Sequence, residues 1–236
     1  MGGKNPLVVL DDADLDLAVS QALGGAFGST GQRCTASSRL IVTQGIHDAF
    51  VERLTAAMAA WKVGNALHEG VDMGPVVNNS EFIQDLQYVA GAAASGREVF
   101  GGEVLELESD GFYMRPALVL DTDPSDRINR EEVFGPVASV IRAEDYMHAL
   151  HLANDTPFGL TAGIMTTSLA AATDFRRRAR AGMVMVNLAT AGVDFHVPFG
   201  GRGASSFGPR EQGEQAREFF THTKTAYVAA GDPTQI

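Results

Sequence analysis

Cysteine is almost absent: Cys34 is the only one in 236 residues. That excludes an intrachain disulfide framework and any multi-thiolate zinc site, so nothing calls for an oxidising compartment, and a cytoplasmic setting follows. Cations are scarce as well. Eighteen Lys and Arg stand against 29 Asp and Glu, for a net charge of -11 and a pI near 4.9. Phosphate backbones and anionic lipid are bound by clustered Lys and Arg, so neither nucleic acid nor a membrane is expected as a partner. No apolar run approaches the roughly 20 residues needed to span a bilayer, and Met1-Gly2-Gly3-Lys4-Asn5-Pro6 has no apolar signal-peptide core. Internal repeats and low-complexity linkers are also missing.

What is present is ordinary globular composition, 45% hydrophobic and 20% charged, enough to bury a sizeable core. Leu15, Ala18, Val19, Ala22 and Leu23 share one helix face behind an Asp-rich start, and Gly28 and Gly31 should end that helix. A β-prone run, Arg39 to Thr43, precedes a helix with the apolar face Phe50, Leu54, Ala57, Met58 and Trp61. The alternation continues: helices near Glu81–Ala94, Asp145–Ala153 and Ala170–Ala181, and strands near Arg115–Leu120, Val137–Ile141, Thr161–Thr166 and Met183–Asn187. Strands alternating with amphipathic helices predict an α/β fold, an open and largely parallel sheet with helices on both faces.

Residues Ala189 to Gly213 are rich in Gly, Pro and Ser, yet structureless loops beyond about 12–15 residues usually carry function. Phe219-Phe220-Thr221 through Tyr227-Val228-Ala229 reads as a terminal strand with nothing after it to pack on. Pairing with another chain is the expectation, hence a homo-oligomer, dimer or tetramer. The division predicted is a domain over 1–215 and an oligomerisation strand and tail over 216–236.

Cys34 lies in Gly31-Gln32-Arg33-Cys34-Thr35-Ala36. A lone cysteine is ordinarily a small buried hydrophobe. Here its neighbours are polar or small, and an adjacent cation favours the thiolate that does nucleophilic chemistry. Gly24-Gly25-Ala26-Phe27-Gly28-Ser29-Thr30-Gly31-Gln32-Arg33-Cys34 resembles the helix-to-nucleophile segment of the aldehyde dehydrogenase superfamily. Three further segments resemble the same family in the right order: Glu131-Glu132-Val133-Phe134-Gly135-Pro136, Asn154-Asp155-Thr156-Pro157-Phe158-Gly159-Leu160, and Pro198-Phe199-Gly200-Gly201.

The resemblance implies the catalytic domain of an NAD(P)+-dependent enzyme that oxidises an aldehyde to the acid through a thiohemiacetal and a thioester on Cys34. It implies that Glu132 holds the nicotinamide ribose, that Phe134 packs near the nicotinamide, and that Phe199 lines the substrate channel. Read alone, Glu132 is a surface acid before a turn and Phe199 a core aromatic. The stretch Phe27–Arg39 and the ending Phe219–Tyr227 look most like 2,5-dioxopentanoate (α-ketoglutarate semialdehyde) dehydrogenases. In that setting Arg33 is a partner for a distal carboxylate, or it lowers the thiol pKa or pairs with an acid.

Met1-Gly2-Gly3-Lys4 resembles the family segment that follows the general-base glutamate. By the resemblance, that base, the oxyanion-binding asparagine and the dinucleotide-binding region lie upstream, so the isolated chain is expected to be inactive. Two other classes stay open: a non-enzymatic truncated domain that folds and self-associates, and a nicotinamide-independent cysteine acyltransferase or hydrolase, for which a Cys–His pair would be the signature. His148 and His151 share a helix face, but two histidines without a third ligand make no metal site.

Overall fold

The structure, a computed structural model, describes residues 2–231. In chain order it comprises β1 (Asn5–Val9), α1 (Leu15–Phe27), β2 (Ser37–Thr43), α2 (His47–Ala60), α3 (Asn79–Ala94), β3 (Val99–Gly101), β4 (Val104–Leu105) and β5 (Tyr113–Met114). There follow β6 (Ala117–Val119), α4 (Arg127–Arg130), β7 (Val137–Ala143), α5 (Tyr146–Asn154), β8 (Thr161–Met165), α6 (Leu169–Arg178), β9 (Met183–Val186) and α7 (Ala216–Phe220). Seven strands form one sheet in the order β3-β6-β7-β2-β1-β8-β9. All neighbours are parallel except β3 and β6, so the α/β expectation holds.

Period-two alternation explains the layers. On β1, Leu7 and Val9 face α1 and α2 in one cluster with Phe27, Phe50 and Leu54, while Val8 faces α5 and α6 with Leu152 and Phe175. A third cluster seats α3 on β6 through Tyr88, Met114 and Val119. Helix starts follow side-chain capping: Asp14, Asn78, Asp145 and Ser168 each accept a backbone N–H of the first turn.

Two findings differ from the sequence reading. Strand β1, at the sheet centre, opens with Asn5-Pro6, residues that signal a turn. Pro6 is tolerated because the register with β2 shifts between Asn5 and Pro6, at the strand's first residues. The second difference is the expected terminal strand. Its first residues close the short helix α7, and residues 221–231 are exposed without regular secondary structure. A strand exists only where a neighbour takes its N–H and C=O groups, and none among the described residues does.

Candidate active site

Four adjacent strands, β7, β2, β1 and β8, are each preceded by a motif-bearing segment: Glu131–Pro136, Gly31–Ala36, Gly2–Lys4 and Asn154–Leu160. Because these strands run parallel, all four segments gather at the amino edge of the sheet. Ligands of open α/β sheets ordinarily lie at the carboxyl edge. Here the four segments lie at the opposite edge.

Cys34 sits on a tight turn between α1 and β2, closed by the Ala36 N–H donating to the Arg33 carbonyl at 2.9 Å. Approach to the turn is forced: Ser29, Thr30 and Gly31 take successive left-handed φ values of 54°, 59° and 64°. At Gly31 a Cβ would run into the Gly135 carbonyl, so only glycine fits. From within, the Asn5 Nδ2 donates to the carbonyls of Cys34 (2.8 Å) and Ala36 (2.9 Å), and the Asn5 Oδ1 accepts the Thr161 N–H at 3.1 Å. Thr190, from the long Gly-rich loop, donates to the Thr35 carbonyl at 2.7 Å. One buried asparagine thus joins three strands to the thiol's turn.

Glu132 is half-buried, and its Oε1 accepts the Gly3 N–H at 2.8 Å. Its Oε2 accepts no hydrogen bond among the described residues, and a Cβ at Gly2 would strike it. Glu131 turns the other way, accepting from Tyr88 Oη at 2.6 Å and Arg127 Nε at 2.8 Å. Phe134 holds a φ of 59°, strained for a non-glycine residue, and the residue is 39% exposed. A narrow cleft is lined by Gly3, Gly31, Arg33, Glu132, Phe134 and Gly135. Three of the five residues singled out by the sequence, Arg33, Glu132 and Phe134, therefore line one cleft beside the Cys34 turn.

Phe199 does not line this cleft. It exchanges backbone hydrogen bonds with Glu211 and lines a groove with Phe207, Pro209 and Phe219. His148 accepts the Glu144 N–H at its Nδ1, and no metal-holding cluster is found among the described residues.

The electrostatics correct one expectation. Cys34 titrates above the usual thiol range, first because it is half-buried and next because Glu132 is close; the N–H groups of Cys34 and Thr35 pull weakly the other way. Arg33 is exposed and forms no ion pair among the described residues. A cation facing water is screened from its sequence neighbour. Burial also raises Glu132, against the Gly3 hydrogen bond and Lys4.

Two buried charges escaped the sequence reading. The Lys4 ammonium is 1% exposed without a hydrogen-bond partner, and burial, followed by Arg39, lowers it to about 7. Both Asp85 oxygens are buried and unpartnered against Gly135, and burial, followed by Glu81, raises that acid to about 7. Lys4 lies in a motif-bearing segment and Asp85 in none, and in neither case does the motif announce the burial. Their environment is made by segments distant in sequence.

The turn that carries Cys34 and the half-buried carboxylate of Glu132 thus meet at the amino edge of a parallel sheet. The aldehyde dehydrogenase family profile matches residues 1–226, and the chain belongs to that family. It is 42% identical over 231 residues to the alpha-ketoglutaric semialdehyde dehydrogenase of Bacillus subtilis (strain 168), covering 97% of this chain and 47% of that protein. The 2,5-dioxopentanoate dehydrogenase of Saccharolobus solfataricus is 39% identical, over 96% of this chain and 47% of its own length. Among solved structures, an NAD-dependent aldehyde dehydrogenase from Sinorhizobium meliloti superposes with a TM-score of 0.91 at 34% identity, covering 99% of this chain and 46% of that one. A betaine aldehyde dehydrogenase from Staphylococcus aureus in complex with NAD+ gives 0.89 at 33% identity, covering 93% and 44%. The chain spans about half the length of the relatives it matches.

Proposed function

We propose that this chain is the catalytic part of an NAD(P)+-dependent dehydrogenase that oxidises a carboxylate-bearing semialdehyde, such as 2,5-dioxopentanoate, to the acid. The observation that carries the reading is the cleft itself: Arg33, Glu132 and Phe134 line it together with Gly31 and Ala36, which flank the turn that carries Cys34. The two semialdehyde dehydrogenases at 39% and 42% identity support the substrate class.

Glu132 suits a ribose. One carboxylate oxygen is fixed by Gly3, leaving Oε2 to accept from a hydroxyl. Phe134, turned outward by its left-handed backbone, offers an apolar face to a nicotinamide ring. When bound, NAD(P)+ supplies the hydride acceptor.

The chain's own chemistry begins with loss of the Cys34 proton. Thiolate sulfur adds to the aldehyde carbon, a C–S bond forms, and the carbonyl oxygen takes the charge. Once the carbon is oxidised to a thioester, water adds, the C–S bond breaks, and the acid leaves with the thiol restored. That last step needs a base. Glu132 is the only carboxylate lining the cleft, and it is engaged with Gly3. The 236 residues alone therefore do not sustain turnover in our reading. The active form is a cytoplasmic homo-oligomer, dimer or tetramer, whose second copy covers the exposed Phe220, Tyr227 and Val228. A Cys–His hydrolase finds less support, since no histidine lines the cleft.

The test compares Cys34→Ser and Arg33→Ala with the nicotinamide-binding half restored. Cys34→Ser should abolish oxidation of every aldehyde. Arg33→Ala should lose roughly ten- to hundredfold more kcat/KM on 2,5-dioxopentanoate than on an uncharged aldehyde of similar length, as expected for one lost charge-assisted hydrogen bond. Equal losses on both would remove Arg33 from substrate recognition.

A further inference from the structure

Helix α3 lays one face along the segment that carries Glu132 and Phe134. Its contacts fall on alternate residues of that segment: Tyr88 Oη donates to the Glu131 carboxylate at 2.6 Å, Gln84 Nε2 donates to the Val133 carbonyl at 3.0 Å, and the Asp85 carboxyl occupies the place where a Cβ of Gly135 would go. Residues 84, 85 and 88 share one helix face by their spacing. Between the held residues stand Glu132 and Phe134, the two assigned above to the cofactor. The loop ahead of α3 grips the approach to the nucleophile as well: the Val77 N–H donates to Gln32 Oε1 at 3.1 Å, and Thr30 Oγ1 donates to the Gly74 carbonyl at 3.2 Å. Asp85 is the member of this set without a polar partner. It is wholly buried, and neither of its oxygens accepts a hydrogen bond among the described residues. Buried groups of that kind are rare and call for a reason.

The three atoms nearest a Cβ placed on Gly135 all belong to the Asp85 carboxyl group, while the Gly135 backbone lies outside the left-handed region. Glycine is needed there because of Asp85, not because of the backbone. On its other side the Gly135 carbonyl abuts Gly31, where again a Cβ would collide. Gly135 is therefore packed between α3 and the nucleophile loop. We propose that Asp85 is a positioning residue for cofactor binding: its carboxyl wedges Gly135 toward Gly31 and so fixes the pitch at which the segment presents Glu132 and Phe134 to the cleft. With no partner on either oxygen, the bulk of the group rather than its charge does this. The left-handed backbone of Phe134, at a φ of 59°, is held in place by these contacts on Val133 and Gly135, one on each side of it. This inference rests on Glu132 and Phe134 meeting the cofactor, as proposed above.

The fit of Asp85 against Gly135 makes a size swap the test. Asp85→Asn keeps the shape, Asp85→Ala opens a void beside Gly135, Gly135→Ala drives a methyl into the carboxyl, and the double variant Asp85→Ala/Gly135→Ala places that methyl in the void. In the chain itself, amide hydrogen exchange over residues 131–136 should quicken severalfold in each single alanine variant and return toward wild type in the double variant and in Asp85→Asn. With the nicotinamide-binding half restored, KM for NAD+ should rise roughly tenfold in the two single alanine variants, the order of one weakened charge-assisted hydrogen bond to the ribose, while kcat changes by less than about twofold. The double variant should recover most of that loss. Should Asp85→Ala lose its native circular dichroism, Asp85→Ser takes its place in both arms. Single-variant effects that simply add in the double variant overturn the wedge. So does an Asp85→Asn loss equal to that of the alanine variant, which would assign the effect to polarity instead of bulk. A restored wild type that binds no NAD+ overturns the cofactor reading of Glu132 and Phe134, whereas the exchange measurement still decides whether Asp85 positions their segment.

Discussion

The two edges of the sheet treat charge in different ways. At the carboxyl edge, acids are answered. Asp11 accepts from Thr43 and from the Ile46 N–H. Burial pushes Asp12 up, yet the hydroxyls of Thr166 and Thr167 with the N–H groups of Ser168 and Thr167 more than offset it, leaving Asp12 below the usual range. Asp48, fully exposed, is held low by His47 and Arg142. At the amino edge Glu131 and Asp155 are held low in the same way, by Tyr88 and Arg127 and by Arg130, but a second set stands beside them: Asp85, Glu132 and Cys34 are pushed up and Lys4 is pushed down. Every shift in that second set favours the uncharged form. The carboxyl-edge acids are answered, whereas the amino edge adds two desolvated groups, Lys4 and Asp85, that have no hydrogen-bond partner among the described residues.

The sharpest way to break this contrast is Asn5, the one amino-edge side chain whose amide is fully used. Asn5→Leu would orphan the carbonyls of Cys34 and Ala36 and the Thr161 N–H. Each buried unsatisfied group costs about 1–3 kcal/mol, so the expected loss is on the order of 4 kcal/mol in chemical denaturation. A loss below about 1 kcal/mol would show that the amino edge is loose enough to admit water, and the contrast would lapse.

Asp85 should behave in the opposite sense. Its pKa is raised from 3.8 to about 7 in the folded chain, so its contribution is fully favourable below the unfolded value. It is lost as pH rises toward the folded value. Asp85→Asn removes that dependence. At pH 4 the variant should match the wild type within error, and at pH 8 it should be more stable by about 2–3 kcal/mol, a figure discounted from the full linkage value for relaxation around the ionised group. An Asn variant no more stable at pH 8 than at pH 4, relative to wild type, would mean that Asp85 finds a partner.

Much of this arrangement was legible from residues alone, and the exceptions have physical causes. Helices α1, α2, α3, α5 and α6 show their apolar period and most of their caps in sequence, and β2, β7 and β8 are β-prone runs. Strand β1 hides behind Asn5-Pro6, because the side-chain hydrogen bonds that make Asn5 useful are made only after folding. The cleft was legible through motif resemblance for Glu132 and Phe134, and through position for Arg33. It was not legible in its electrostatics: an arginine adjacent in sequence predicted a more acidic thiol, whereas burial, and next Glu132, 98 positions away, push it up. Phe199, named through its motif, pairs with Glu211 and lines a different groove from the one that holds Glu132.

The smallest effect separates the edges by backbone rather than charge. Ser29 and Asn187 hold nearly the same left-handed φ, 54° and 55°. At the carboxyl edge Asn187 suits it, because asparagine tolerates that region and its side chain both accepts the Thr166 N–H (2.9 Å) and donates to the Thr166 carbonyl (3.0 Å). At the amino edge Ser29 is exposed, with no side-chain hydrogen bond recorded among the described residues, so its strain has no local compensation. Ser29→Gly should therefore relieve strain worth about 1–2 kcal/mol against a chain-entropy cost of roughly 0.5–1 kcal/mol, a net gain of about 0.5 kcal/mol. Asn187→Gly relieves little and removes two hydrogen bonds, a net loss of about 1–2 kcal/mol. Urea midpoints of the two variants should move in opposite directions from wild type. If both fall, the turn before Cys34 is not strained, and the left-handed run from Ser29 to Gly31 is a relaxed lead-in rather than a forced approach to the nucleophile.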